Sequence, residues 1–221
     1  MKKILFLAVS FVMALAVNAQ NAGTDITSQF ENADFEAGSS NGWTVTGPAN
    51  KQNLGTANTA ANNGYQGTYF MEAWKPSGSS LNDFEWSQTK NVPNGFYVVK
   101  ALAHSIEQSK DVTPQGTFIF AEDKQVEVTT TTASEYTVVA EVTDDTLTIG
   151  YRGVGCNANW TACDYFRIIQ CYGETEDAAK LSWVKYELNL LQAEAEELMS
   201  SDMSTTVRAG LEASIAAIAN L

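Results

Sequence analysis

Phe84-Glu85-Trp86-Ser87-Gln88-Thr89-Lys90, Val92-Pro93-Asn94-Gly95 and Phe96-Tyr97-Val98-Val99-Lys100-Ala101-Leu102-Ala103 follow one another in the chain, and their reading decides the architecture. Two runs rich in aromatic and β-branched side chains flank a segment in which proline presets φ and glycine tolerates a positive φ, the chemistry of a turn between strands. The same grammar continues at 116–121, 125–130, 136–142, 146–152 and 160–170. In Tyr136, Val138, Ala140 and Val142 the apolar residues recur at a period of two, so one face of that strand meets a core and the other meets water. No long 3.6-residue periodicity appears between Thr27 and Tyr172. About eight to ten such strands make a sandwich or jelly roll, because an isolated sheet must cover its apolar face with a second layer.

Working outward, the stretches 38–42, 47–67, 75–82, 104–115 and 153–159 are dense in Gly, Asn, Ser and Thr and read as loops. Past Glu174 the pattern changes. Trp183, Val184, Leu188, Leu191, Ala195 and Leu198 recur at helical spacing, predicting an amphipathic helix over 176–199. Residues 200–204 break it with serines and an aspartate suited to cap a second helix, which carries Val207, Leu211, Ile215 and Ile218. The expected organisation is a leader at 1–19, a β-sandwich at 20–173 and an α-helical hairpin at 174–221. Two helices build little core alone, so the hairpin is expected to serve as a linker, a spacer or a docking element for a surface-protein partner.

The leader rests on Lys2 and Lys3 ahead of the apolar run 4–17, with Val17-Asn18-Ala19 supplying small residues at a cleavage site before Gln20. That run is shorter than the ~20 residues that cross a bilayer, so no membrane span is expected once it is removed. A secreted or periplasmic location follows. The mature chain keeps 11 basic residues against 26 acidic ones, a formal charge of −15, which repels phosphate backbones and excludes nucleic acid as a partner. One histidine and three cysteines in 221 residues close the way to a histidine-rich metal centre and to a disulfide-dense scaffold.

Phe30-Glu31-Asn32-Ala33-Asp34-Phe35-Glu36 with Asn41-Gly42-Trp43, Tyr69-Phe70-Met71-Glu72-Ala73-Trp74, Phe84 to Gln88, Val92 to Tyr97, Leu147 to Gly150, and Asn159 to Ile168 carry a resemblance. Together they resemble the galactose-binding-domain-like carbohydrate-binding modules of secreted Bacteroidetes proteins, over about 28–173. The C-terminal hairpin is similar to the FIVAR-like helical repeats that follow such modules. The resemblance implies a jelly-roll β-sandwich and carbohydrate binding. It also implies a structural calcium ion, held where the aspartate before the last strand's Phe-Arg segment meets the first strand. Here those residues are Asp164, Asp34 and Glu36, with Asn32 and Ser39 as further ligands.

On a regular strand, Asp164 shares a face with Trp160, Ala162, Phe166 and Ile168 and points at an apolar layer. A buried carboxylate there needs a metal or a set of hydrogen bonds from backbone amides; the remaining alternative is an exposed carboxylate. Trp43 and Trp160 fit sandwich closure. Trp74 differs, because a Gly/Ser-rich loop starts directly after it, and an aromatic face at such a rim stacks on the C–H face of a pyranose. Tyr65, His104, Glu107 and Arg152 are the other rim candidates, His104 standing where a loop is expected to begin. Cys156 and Cys163, in a chain that leaves the cytoplasm, are either a disulfide or buried free thiols. Asp144-Asp145 reads as a turn, and Glu194, Glu196 and Glu197 as a solvated helical face.

Neither part supplies a nucleophile with its base, a spaced acid pair or a catalytic metal cluster, so no enzyme is expected. The function expected is non-catalytic binding of a glycan or polysaccharide. Its alternatives are a structural or protein-interaction module without a sugar site and, third, an accessory fragment of a hydrolase. Trp74 exposed beside convergent polar groups favours binding, and Trp74 in the core favours the structural module.

Overall fold

In the computed structural model of the chain, residues 22–47, 52–54, 64–109, 114–200 and 205–218 are described. The expected leader at 1–19 lies outside them. The strands are β1 (Thr24–Asp25), β2 (Thr44–Thr46), β3 (Gln52–Leu54), β4 (Met71–Trp74), β5 (Asn82–Asn91), β6 (Gly95–Ile106), β7 (Thr117–Ala121), β8 (Lys124–Glu127), β9 (Ser134–Val142), β10 (Thr146–Cys156) and β11 (Trp160–Cys171). Two helices follow, α1 (Glu176–Ser200) and α2 (Thr205–Ile218). Contacts divide the chain into two compact units, 25–170 and 171–221 with the residues up to Thr24.

The first unit is the jelly-roll sandwich that the alternating pattern predicts. One sheet runs β3-β4-β11-β6-β9, with β1 pairing β11, and the other runs β2-β5-β10-β7-β8. From β4 onward each strand crosses to the opposite sheet, apart from the β7–β8 hairpin. The Pro-Asn-Gly turn is therefore a corner between sheets. Its ends carry Trp86 on β5 and Tyr97 on β6, both fully buried in one core but contributed from opposite layers. Tyr97 donates its hydroxyl to Pro93 O at 2.6 Å, and the amide of Asp145 donates to Asn94 Oδ1 at 2.8 Å, tying this corner to the expected Asp144-Asp145 turn.

The core is aromatic. Trp86 lies against Phe84 and Tyr151 with ring centroids 5.2 and 5.4 Å apart, and Trp43 lies against Phe35 and Phe166 at 5.0 and 4.9 Å. Rings paired this way add to the roughly 25 cal/mol per Å² gained by apolar burial. Residues 30–42 form no strand, contrary to the resemblance, but a loop of turns that delivers Phe30, Phe35 and Trp43 to the core. The loop is latched to the second sheet by buried Gln88, which accepts from Glu31 N at 2.7 Å and donates to Glu31 O at 2.9 Å.

Three boundaries differ from expectation. β6 continues through His104 to Ile106, β10 continues to Cys156, and β3 lies inside the expected 47–67 loop. The largest correction concerns β11. Cys163, Phe166 and Ile168 all belong to the core, although strict alternation cannot place 163 and 166 on one face. Tyr165, in the left-handed region at φ 53°, resets the phase. Asp164 consequently shares its face with Trp160 and Ala162, while Phe166 and Ile168 point the other way.

The disulfide does not form: Cys156, Cys163 and Cys171 are free and buried. Cys156 ends a strand of one sheet and Cys163 lies in a strand of the other. Facing sheets stand about 10 Å apart, whereas a disulfide needs Cα atoms within about 7 Å.

In the second unit, Thr175 caps α1 by accepting from Ala178 N through Oγ1 at 3.3 Å. Lys180 and Glu176, one turn apart, pair at 2.6 Å. Among the described side chains of α1, Ala179, Ser182 and Gln192 are buried. Of the expected apolar stripe Val184, Leu191 and Leu198 are exposed, as is Leu181 beside it, so half of that stripe faces solvent.

Candidate functional site

The outward face of the first sheet is where the side chains with chemistry collect. In β4, Met71 and Ala73 enter the core, which turns Glu72 and Trp74 outward by alternation. β11 runs antiparallel beside it with Trp160 opposite Trp74 and Ala162 opposite Glu72. Directly opposed residues hold their Cβ atoms about 5 Å apart, so the two indoles are side by side. Trp74 is 42% exposed. Trp160 is half-buried and donates its indole N–H to Glu72 Oε2 at 2.7 Å, which fixes the ring. Burial pushes the Glu72 carboxyl up from its ordinary range, and the Trp160 hydrogen bond opposes that rise.

His104 lies on the next strand, β6, and meets Trp160 edge-on with ring centroids 4.4 Å apart. It is 1% exposed, and desolvation lowers its pKa to about 4, so the imidazole is neutral. Its Nδ1 lies 2.6 Å from the hydroxyl of Tyr65, which donates to Ala162 O at 3.1 Å. Tyr65 has one proton; with that proton on the carbonyl, His104 Nδ1–H donates to Tyr65 and Nε2 is left as an acceptor. Nε2 has no hydrogen-bond partner. Tyr65 also stacks on Phe70 at 4.6 Å, roofing the outer face with a small second apolar cluster that includes Ala162 and Leu102. Tyr65 and His104 thus form a buried layer beneath the face, not its rim.

Fully buried Asn159 holds the edge of the site. Its side chain donates to Lys75 O and Gln108 Oε1, both at 3.0 Å, and accepts from Gln108 N at 2.8 Å. It thereby joins the loop after Trp74 to the one after β6. Lys75 reinforces this, its Nζ donating to Ser80 O at 2.9 Å and Leu81 O at 3.3 Å.

Two rim candidates stand apart. Glu107 is buried, its Oε1 accepting from Ser109 N at 2.9 Å and Ser109 Oγ at 2.5 Å, so one carboxylate oxygen holds its own loop. Arg152 is on β10 of the other sheet, where its guanidinium lies 4.6 Å above the Phe120 ring and donates to Gln125 Oε1. It borders a separate cleft of about 430 Å³ with Thr46, Asp83 and Glu85, and it cannot join Trp74 in one site.

Asp164 is fully buried and bonded to backbone amides: Oδ1 accepts from Tyr165 N at 2.7 Å and Oδ2 from Gln66 N at 3.2 Å. Glu36 binds the same segment, its Oε1 accepting from Thr68 N at 2.7 Å and Tyr69 N at 2.9 Å. A Cβ on intervening Gly67, at φ 66°, would collide with the Glu36 carboxylate, so that position requires glycine. Burial raises Asp164 to about 8 against the pull of its two amide bonds, and the charges of Glu36 and Asp34 add to the rise. Asn32 and Ser39 use their side-chain oxygens within the loop, accepting from Ala37 N at 2.9 Å and Asn41 N at 3.3 Å. Among the described residues no group of three or more His, Cys, Asp or Glu side chains is arranged to hold a metal.

Sequence reasoning missed Glu72 and Asn159 and placed Trp160 in the core. Met71-Glu72-Ala73-Trp74 already contained the signal for Glu72, since two residues before an outward tryptophan lies on the same face.

The strand order is that of a two-sheet jelly-roll β-sandwich. It superposes on a family 61 carbohydrate-binding module solved with β-1,4-galactotriose, with a TM-score of 0.52 and 24% identity over 64% of this chain and 97% of that one. It superposes also on a cyclase from Fischerella sp. TAU, with a TM-score of 0.50 and 15% identity over 70% and 100% of the two chains. Neither a protein-family model nor a curated protein matches the chain. A sugar-binding module and a cyclase share this architecture, and at these identities the likeness defines the fold alone.

Proposed function

We propose that the sandwich is a non-catalytic carbohydrate-binding module of a secreted or periplasmic protein, with its site on the outer face of the first sheet. The observation that carries this is the exposed Trp74 beside Trp160, whose indole Glu72 holds in place. Paired aromatic faces offer stacking area for sugar C–H groups, and the adjoining carboxylate accepts from hydroxyls. The galactotriose bound by the structurally similar module is in keeping with this reading. No helix among the described residues is long and apolar enough to cross a membrane.

A structural calcium ion belongs to the same proposal. Asp164 and Glu36 offer only oxygen donors, the chemistry a hard cation prefers, and an acid raised to about 8 by burial and by neighbouring carboxylates is one that a cation would relieve. Backbone carbonyls would complete the shell, and the ion would brace the 30–42 loop against residues 66–69. In this reading the exposed leucines of α1 are where a surface-protein partner docks.

Glycan-array screening of the mature chain, followed by calorimetric titration of any hit with wild type and Trp74→Ala, tests the proposal. A folded Trp74→Ala protein should bind at least tenfold more weakly. Unchanged affinity removes this face as the site, and an array without hits favours the structural module.

A further inference from the structure

We propose that the Trp74–Trp160 face selects neutral, hydroxyl-rich glycan chains and turns away chains bearing uronate or sulfate groups. This rests on the carbohydrate reading above and adds the chemical class of ligand.

The side chain with hydrogen-bonding capacity beside the two indoles is an acceptor, the Glu72 carboxylate. Glu72 commits Oε2 to Trp160, which leaves its other carboxylate oxygen to accept from a ligand. A carboxylate oxygen at this face is satisfied by whatever donor a ligand brings to it, directly or through a water. Sugar hydroxyls are such donors. Carboxylate and sulfate groups are not, and they would bring negative charge against the Glu72 carboxylate.

The described cations near this face are turned to other partners. Lys75, directly after β4, donates to two backbone carbonyls, Lys100 Nζ on β6 is 2.9 Å from Glu135 Oε1, and Arg167, behind the phase shift in β11, borders a separate cleft with Asp25 and Asp34. The formal charge of −13 on the whole sequence acts in the same direction at long range. A ligand for this face therefore has to be an uncharged donor of hydroxyl protons with a C–H surface to stack.

The test is an array carrying neutral hexose and pentose oligosaccharides alongside uronate-bearing and sulfated ones, probed with wild type, Glu72→Gln, Glu72→Lys and Trp74→Ala. Circular dichroism verifies that each variant is folded. The expected result is hits confined to neutral glycans, lost in Trp74→Ala, with Kd rising about tenfold in Glu72→Gln, as removal of a charged hydrogen-bond acceptor predicts. Glu72→Lys should admit uronate-bearing glycans. Wild-type binding of acidic glycans that depends on Trp74 overturns the selectivity while leaving the carbohydrate site standing. Indifference of the hit spectrum to Glu72→Lys overturns it as well. No glycan hit at all sinks both readings.

Discussion

Acidification should weaken the fold through His104, and comparison with His104→Gln isolates the effect. The imidazole titrates near 4 in the folded protein because it is desolvated, against an ordinary value of 6.5 in an unfolded chain. Above pH 6.5 both states hold it neutral and its contribution is complete. As pH falls below 6.5 the unfolded chain takes up the proton first, so stability drains away until the folded pKa is reached near 4. A gap of about 2.5 units at 1.36 kcal/mol each is worth about 3 kcal/mol. Asp164 acts in the opposite sense: its folded pKa of about 8 lies above the ordinary 3.8, so its contribution is complete at low pH and is lost as pH rises toward 8. Both proteins carry Asp164, and the difference between them cancels it. Urea melts of wild type and His104→Gln at pH 7, 6, 5 and 4, with chelator present throughout, should show the wild type losing about 3 kcal/mol relative to the variant. A difference that stays constant across that range would refute the buried neutral histidine.

Trp160→Ala, which empties a half-buried position and strips His104 of its aromatic neighbour, should cost about 2 to 3 kcal/mol in denaturant melts, whereas Trp74→Ala should cost less than about 1. Gly67→Ala should cost about 2 to 4 kcal/mol, from a left-handed backbone and the displaced Glu36 carboxylate with its two amide bonds; a neutral result removes the clamp. Thiol titration with a chromogenic disulfide should find three reactive groups in urea and almost none in buffer, and fewer than three in urea would restore the disulfide. Removal of calcium should lower the thermal midpoint, because an ion present at a hundredfold over its Kd adds about 2.7 kcal/mol; an unchanged midpoint together with no calcium by elemental analysis removes the ion.

Period-two alternation made the sandwich legible because inward residues such as Tyr97, Val99 and Ala101 are apolar in unbroken sequence. Trp74 was readable as a surface aromatic for a related reason, standing at the last position of a strand before a Gly/Ser-rich loop. Trp160 was not, since its direction depends on a phase shift at Tyr165, and a tyrosine gives no warning of a left-handed backbone. His104 looked like the start of a loop because polarity inside a strand normally marks an exposed face. Here that face is roofed by Tyr65 and Phe70 from residues far away in the sequence. The same roof explains Asp164, whose amide partner Gln66 is separated from it by nearly a hundred residues and leaves no local trace. The Pro-Asn-Gly turn was recognised, but a four-residue turn does not reveal whether its strands pair or part; the opposite layers of Trp86 and Tyr97 decided that.

The phase shift at Tyr165 makes β11 two strands for the purposes of variation. Ahead of it, position 160 can be rewritten to alter the chemistry of the outer face while the main core stays untouched, whereas Ala162 is held under Tyr65 and Phe70; behind it, 166 and 168 are bound to the interior and are closed to such change. Deleting a residue from the regular stretch behind it, at 167, would be far worse than any substitution there, because it would turn Ile168 to the opposite face, whereas deleting Tyr165 itself would leave Cys163, Phe166 and Ile168 in strict alternation. Anyone retargeting this scaffold toward a new ligand should therefore treat the outward positions of β4 and Trp160 as a replaceable panel, and leave the length of β11 alone.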